Sequence, residues 1–280
     1  MPFKTILVHL NRARRSQSVL EPALDLARRH ASHVVGIYVR PGIQTTVVAD
    51  DSLSNVNALG AELTAEQQEA EEIAATFARM TANQPFTAEL RVADARPPHS
   101  DLAAVVLEHA FAADIIVAGQ SDPDWNLSPI LDFPERLMLE SGRPVLVIPY
   151  VGNYREVGKN VVIAWKSGRE AARAVFDALP ILENASTVHI LQFAEDHLEL
   201  PEAEPAIAAA LARHGVKPDI RVPQVSDIDV GDALLSRLAD LGADLLVMGA
   251  YGHSRLREYV FGGMTRHITR HMTVPTLFSH

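Results

Sequence analysis

The sequence predicts an α/β protein made of two tandem, doubly wound parallel-sheet halves, and three observations carry that prediction. Landmarks recur in the same order along the chain, short strand-like runs are almost wholly apolar, and amphipathic helical stretches alternate with them. The run KTILVHLN (Lys4 to Asn11) returns as KNVVIAWK (Lys159 to Lys166) after 155 residues. ADIIVAG (Ala113 to Gly119) returns as ADLLVMG (Ala243 to Gly249) at an offset of 130, and RPVLVIP (Arg143 to Pro149) as VPTLFSH (Val274 to His280) at 131. Periods this long indicate a duplicated domain, because solenoid repeats run to about 20–50 residues.

Each opening strand leads into a helix. SVLEPALDLARRH sets Leu20, Leu24 and Ala27 on one face, and REAARAVFDALPIL does the same with Ala171, Val175 and Leu179. Further strands are HVVGIYV (His33 to Val39) and FTAELRVA (Phe86 to Ala93) in the first half, and TVHILQF (Thr187 to Phe193) and DIRVPQV (Asp219 to Val225) in the second. LTAEQQEAEEIAATFARM reads as a helix opened by a Thr64-x-x-Gln67 capping box, and VGDALLSRLADLG as one capped by Asp232 and ended at Gly242. Apolar strands between helices argue a parallel sheet covered on both faces. The offset falls from 155 to 130, so the first half carries 155 − 130 = 25 extra residues, and the polar stretch PGIQTTVVADDSLSNVNALG (41–60) reads as an extended loop. Periodicity lapses at YVGNYREVG (Tyr150 to Gly158), which divides the chain into domains 1–150 and 156–280. The closing strands are apolar enough to be buried between the halves, giving an internal pseudo-dimer; a homodimer is a further option.

Composition narrows the functions. With 280 residues, 48% hydrophobic, there is material for two domains of about 140 residues. The absence of cysteine excludes disulfides, zinc-thiolate sites and thiol chemistry. The apolar run in MPFKTILVHL is too short for a signal-peptide core and no 18-residue apolar stretch occurs, so a soluble cytoplasmic protein is expected. Net charge is 25 − 35 = −10, which opposes nucleic-acid polymers and anionic membranes. An anionic ligand therefore needs a local feature.

The segment GAYGHSRLREYVFGG (Gly249 to Gly263) is such a feature. Gly249 closes a strand at the carboxyl end of the sheet, where ligands of open α/β sheets sit. The spacing Gly249-x2-Gly252-x9-Gly262-Gly263 leads into MTRHITRHM, whose Met264, Ile268 and Met272 form an inward helical stripe. Glycines let backbone N–H groups approach a ligand, and the following helix N-terminus attracts negative charge. Residues 249–280 carry Arg255, Arg257, Arg266 and Arg270 against Glu258, a net +3. The bland alternatives are a turn whose glycines merely permit close helix-sheet packing and arginines on a solvated helix face.

At these residues the sequence resembles the universal stress protein family, whose nucleotide-binding members carry G-x2-G-x9-G-[Ser/Thr] after the fourth strand. SGREAARAVFDAL (Ser167 to Leu179), the VGD at Val230 to Asp232, the ADLLVMG strand and the closing VPTLF are similar as well. The resemblance implies two five-stranded, adenine nucleotide alpha hydrolase-like domains about a pseudo-two-fold axis through their last strands. It also implies ATP or another adenine nucleotide as ligand, with Gly249, Gly252, His253, Arg255, Gly262, Gly263 and Lys166 as binding residues. Two departures bear on that set. The family's Ser or Thr is Gly263 here, which keeps the N–H but loses the hydroxyl, and the Asp that contacts adenosine is Lys166, which accepts no hydrogen bond but reaches toward phosphate.

The first half departs further. Its loop GQSDPDWNLSPILDFPERL keeps Gly119 but has Asp122 in place of Gly252 and Leu131, Asp132 and Phe133 where glycines belong, and Asn11 stands where Lys166 does. Residues 119–150 carry five acids against Arg136 and Arg143, a net −3 that repels phosphate. Nucleotide is therefore expected in the C-terminal half alone, and Asp122→Gly is expected to leave nucleotide binding unchanged. No metal held by protein ligands is expected: His267 and His271 lie four apart, but no acid sits between them in the zincin manner. Trp165 reads as a core or wall residue ahead of an adenine platform. No G-x-S-x-G, Walker or G-x-G-x-x-G motif is present, so catalysis beyond slow ATP hydrolysis is not expected. The leading reading is a regulatory stress-response module that binds nucleotide; its rival is a nucleotide-independent dimerisation or interaction scaffold.

Overall fold

A computed structural model describes residues 2–41, 53–95, 101–192, 203–223, 229–251 and 263–280. Ten strands form one sheet. In the N-terminal half these are β1 (Thr5–His9), β2 (His33–Arg40), β3 (Ala88–Asp94), β4 (Ile115–Gly119) and β5 (Val145–Ile148). The C-terminal half contributes β6 (Asn160–Ala164), β7 (Thr187–Leu191), β8 (Asp219–Arg221), β9 (Leu245–Gly249) and β10 (Thr276–Ser279). The order is β3-β2-β1-β4-β5-β10-β9-β6-β7-β8, which reads the same from either edge once the halves are equated. Every pair is parallel except β5 with β10, where Leu146 faces Leu277 and Val145 faces Phe278. The expected pseudo-two-fold axis thus runs through the last strands.

The helices of the first half are α1 (Ala13–His30), α2 (Leu53–Thr81), α3 (Leu102–Ala110), α4 (Ser128–Leu131) and α5 (Pro134–Glu140). Those of the second are α6 (Arg169–Asp177), α7 (Leu179–Leu182), α8 (Ala203–Arg213), α9 (Val230–Asp240) and α10 (Met264–His271). Two core clusters lie on the two sheet faces, and each crosses the midline. One joins Leu20, Phe77 and Leu146 to Val175, Ile181 and Leu277; the other joins Val106, Leu137 and Val145 to Leu234, Ile268 and Phe278. Strands with apolar side chains on both faces bury both, as the near-continuous runs required.

One device at the amino edge of the sheet is duplicated. The Asp114 carboxylate accepts the N–H groups of Lys4 and Thr5 at 2.6 and 2.9 Å, and Asp244 accepts those of Gly158, Lys159 and Asn160 at 2.9 to 3.0 Å. Each aspartate opens the fourth strand of its half and ties down the entry of the first, satisfying donors that the ladder leaves over. The connecting residues Tyr150–Gly158 contain neither helix nor strand. They are pinned where Tyr154 donates to the Thr273 carbonyl at 2.9 Å and Arg29 to the Val157 carbonyl at 2.7 Å.

Three expectations need correction. Helix α2 begins at Leu53, so Thr64 lies well inside it and is no cap; Ala58, Leu59, Ala61 and Leu63 are strong helix formers that carry the helix through Gly60. For the same reason 53–60 is helix and not loop, while 42–52 lies outside the described residues. Helix α9 begins at Val230, and its cap is Asp229, whose carboxylate accepts the Gly231 N–H at 2.8 Å; Asp232 is a first-turn residue. Among the described residues no helix is long and apolar enough to cross a membrane.

Removing one half would uncover the backbone edge of β10 together with its fully buried Leu277 and Phe278. Residues 156–280 expressed alone are therefore expected to dimerise through β10 or to precipitate, as read by size exclusion with light scattering. A soluble monomeric fragment would contradict the shared-core arrangement.

Candidate functional site

The loop after β4 lies at the carboxyl ends of the N-terminal strands, and of its counterpart after β9 the structure describes the two ends, 249–251 and 263 onward. In the N-terminal half the loop after β4 is closed by its own hydrogen bonds. Asp132, 7% exposed, accepts from Ser128 Oγ at 2.6 Å and from the Asp122 N–H at 3.0 Å, and the Asn11 amide donates to its other oxygen. Asn11 also donates to the Leu131 carbonyl at 3.0 Å, so the side chain standing where Lys166 stands in the other copy is fully engaged by the loop. The Arg12 guanidinium pairs with Asp122 at 3.2 Å and lies 4.5 Å over the Trp125 ring.

Beneath this network Arg15 is buried, donating to the Gln120 carbonyl at 2.7 Å. Burial pulls its pKa down, and the charges of Asp132 and Asp122 oppose that shift. His9, at the end of β1, packs its ring 4.6 Å from Phe133, and burial pushes its imidazole down to about 4, so it is neutral at pH 7. Leu131, Asp132 and Phe133, which replace glycines, are thus the material that fills the site. Asp122, whose change to glycine is expected to leave nucleotide binding as it is, is a buried bridge between Arg12 and the loop. The carboxylate also accepts the Asp124 N–H at 3.1 Å.

In the C-terminal half Gly249, Lys166 and Gly263 are described, whereas Gly252, His253, Arg255 and Gly262 lie outside the described residues. Gly249 closes β9, and a Cβ there would stand 2.6 Å from the Ala171 nitrogen and from the Glu170 carbonyl carbon. Its missing side chain admits the start of α6, which is a packing role. Tyr251, at φ 54°, donates its N–H to Thr265 Oγ1 at 3.0 Å and so fastens the loop's beginning to α10. Gly263 occupies the N-cap of α10, among the described residues no side chain caps that helix, its first turn holds no acid, and Arg266 is exposed on it. Lys166 is exposed just beyond β6, the strand beside β9. Trp165 is 8% exposed, as a core or wall residue would be, with Nε1 buried and without a hydrogen bond.

The structure also gathers residues that sequence reading kept apart. His267 on α10 stands 3.0 Å (Nε2 to Oδ1) from Asp232 and 3.9 Å (Nδ1 to Oδ1) from Asp229 at the start of α9. The 35-residue gap from Asp232 hides the group in the sequence; only the packing of α10 on α9 creates it. Gln120 bridges the halves, donating to the Thr269 carbonyl at 2.9 Å and accepting the Tyr150 N–H at 3.0 Å.

Residues 159–280 match the model of the Universal stress protein family. The match is confined to the C-terminal half of the chain. No curated protein matches the sequence. Among solved structures the chain is similar to a universal stress protein from Archaeoglobus fulgidus at 15% identity, covering 98% of this chain and 95% of that one with a TM-score of 0.73. A functionally unknown protein from Pseudomonas aeruginosa matches at 16% identity over 99% of this chain and 92% of its own, with a TM-score of 0.59. At such identities the likeness concerns the fold, and it extends the universal stress protein architecture over both halves.

The buried Asp122 leads to a definite expectation. Replacing it by glycine removes the partner of Arg12 and leaves buried donors unmatched, so the variant should lose about 2 kcal/mol of stability or more. Urea unfolding followed by circular dichroism checks this; a midpoint unchanged from wild type would show that the network contributes nothing.

Proposed function

We propose that this chain is a tandem universal stress protein that binds an adenine nucleotide such as ATP in its C-terminal domain, residues 156–280, and acts as a nucleotide-responsive regulatory module. Residues 1–150 form a partner domain whose own site is closed. The observation that supports this reading is the contrast between the two loop ends. One is filled by the Asn11, Asp122, Ser128 and Asp132 network, and the other offers an uncapped helix N-terminus at Gly263 with Arg266 nearby and no acid in the first turn. An uncapped helix N-terminus favours phosphate through its oriented N–H groups and dipole. The glycine spacing assigns the phosphates to N–H groups around Gly252, Gly262 and Gly263, with Lys166, Arg255 and His253 supplying charge or hydrogen bonds.

Without the adenosine-contacting Asp, affinity rests on a few N–H groups and one or two cations. Micromolar binding or weaker is expected, about −8 kcal/mol at most. The scaffold reading keeps one observation in its favour: Gly249 is already accounted for by the close approach of α6. Calorimetric titration with ATP separates the two. Wild type should bind once per chain, Gly252→Val should abolish binding by placing two methyls where backbone meets phosphate, and Lys166→Ala should weaken it about tenfold. No heat from wild type at millimolar ATP, or full binding by Gly252→Val, would leave the scaffold reading.

A further inference from the structure

We propose that Asp229, Asp232 and His267 form a site for a divalent transition-metal ion of the zinc type, where the first turns of α9 and α10 face each other. One ligand atom from each residue lies within 4.8 Å of the others. Among the described residues no other group of three such side chains comes this close. Two carboxylates and a neutral imidazole carry −2 together, which matches a divalent cation, and the imidazole favours zinc-like ions over magnesium or calcium.

The geometry around His267 Nε2 is the independent observation. That atom is buried and makes no hydrogen bond among the described residues, although Asp232 Oδ1 is only 3.0 Å away. The oxygen therefore stands beside the nitrogen's bonding direction and not along it. Two ligands of one ion are placed this way, because bonds of about 2.0–2.2 Å meeting near a right or tetrahedral angle put their atoms roughly 3 Å apart. A hydrogen-bonded or charged pair would instead align the N–H on the oxygen.

The supporting residues fit the same reading. Asp229 caps α9, its Oδ1 accepting the Gly231 N–H at 2.8 Å, so the carboxylate is held in place 3.9 Å from the His267 ring. Gly231 is the one residue type that admits the ring: a Cβ there would stand 2.4 Å from His267 Cδ2. The ring also packs 4.7 Å from His271, whose Nδ1 donates to the His267 carbonyl at 3.0 Å, which takes that nitrogen out of reach of an ion. Three protein ligands leave the remaining positions of the ion to water or to a further ligand. The expectation of no protein-held metal rested on the His267 and His271 spacing alone; the acids come from a different helix.

The site needs no nucleotide, so its test is separate from that of ATP binding. Full-length protein stripped with chelator and titrated with zinc chloride in a calorimeter should take up one strong equivalent, with proton release that makes the heat depend on the buffer. Asp232→Asn and His267→Gln should each weaken that equivalent at least tenfold, His271→Gln should leave it unchanged, and magnesium chloride should not compete. Asp232 is exposed, so its variant decides the matter should the His267 variant fold poorly. Absence of a strong equivalent in wild type, or wild-type affinity in Asp232→Asn, would overturn the proposal and leave His267 and Asp232 as a side-chain pair without a metal.

Discussion

The antiparallel pairing of β5 with β10 is the constraint on which the rest of the molecule depends. Each half alone would end in an apolar strand with an open backbone edge, and each would bury only part of its two sheet faces. Joined at that seam, Leu146 meets Leu277, Val145 meets Phe278, and both core clusters run through from one half to the other. Burying a side chain of this size contributes about 1.5–3 kcal/mol. The seam also sets the relation of the two loop regions. Gln120, at the end of β4, reaches the C-terminal carbonyls of α10, so the closed loop of one copy touches the helix that opens at Gly263 in the other.

Much of this architecture was legible because burial on both faces demands runs such as TILVH and NVVIA, which few other structures tolerate. The duplicated Asp114 and Asp244 were visible as the heads of ADIIVAG and ADLLVMG, although their task, holding the entries of β1 and β6, emerges only from the hydrogen bonds. Local signals misled where they were weak. Thr64 and Gln67 fit a capping box, but a run of good helix formers upstream outweighed it. Asp229 and Asp232 are both acceptable caps by type, and the cap is Asp229 because the helix begins at Val230.

The site was legible by halves. The loss of glycines at Leu131, Asp132 and Phe133 announced that the first copy had changed, but net charge alone suggested repulsion of a ligand. The structure gives a more definite account: the acids are turned inward, and Asp122 and Asp132 spend their acceptors on Arg12, Asn11, Ser128 and loop N–H groups. Burial of Arg15 beneath them supplies the compensating charge. In the other copy the signal was real but ambiguous. Gly249 serves the approach of α6, while Gly263 leaves α10 uncapped, so two glycines of one motif answer to different physical demands. Tertiary contacts such as His267 with Asp232 have no sequence signature, since neither residue's neighbours foretell the crossing of two helices.

The central claim joins the loop after β4, closed by its own hydrogen bonds, to the proposed nucleotide site at the equivalent end of the other half. Hydrogen exchange followed by mass spectrometry, with and without ATP, tests it directly and in one protein. The account predicts slowed exchange in peptides covering 249–268 and the turn after β6 around Lys166, with peptides covering 119–134 already protected and unaltered by nucleotide. Protection appearing in 119–134, or equal changes in both halves, would contradict it.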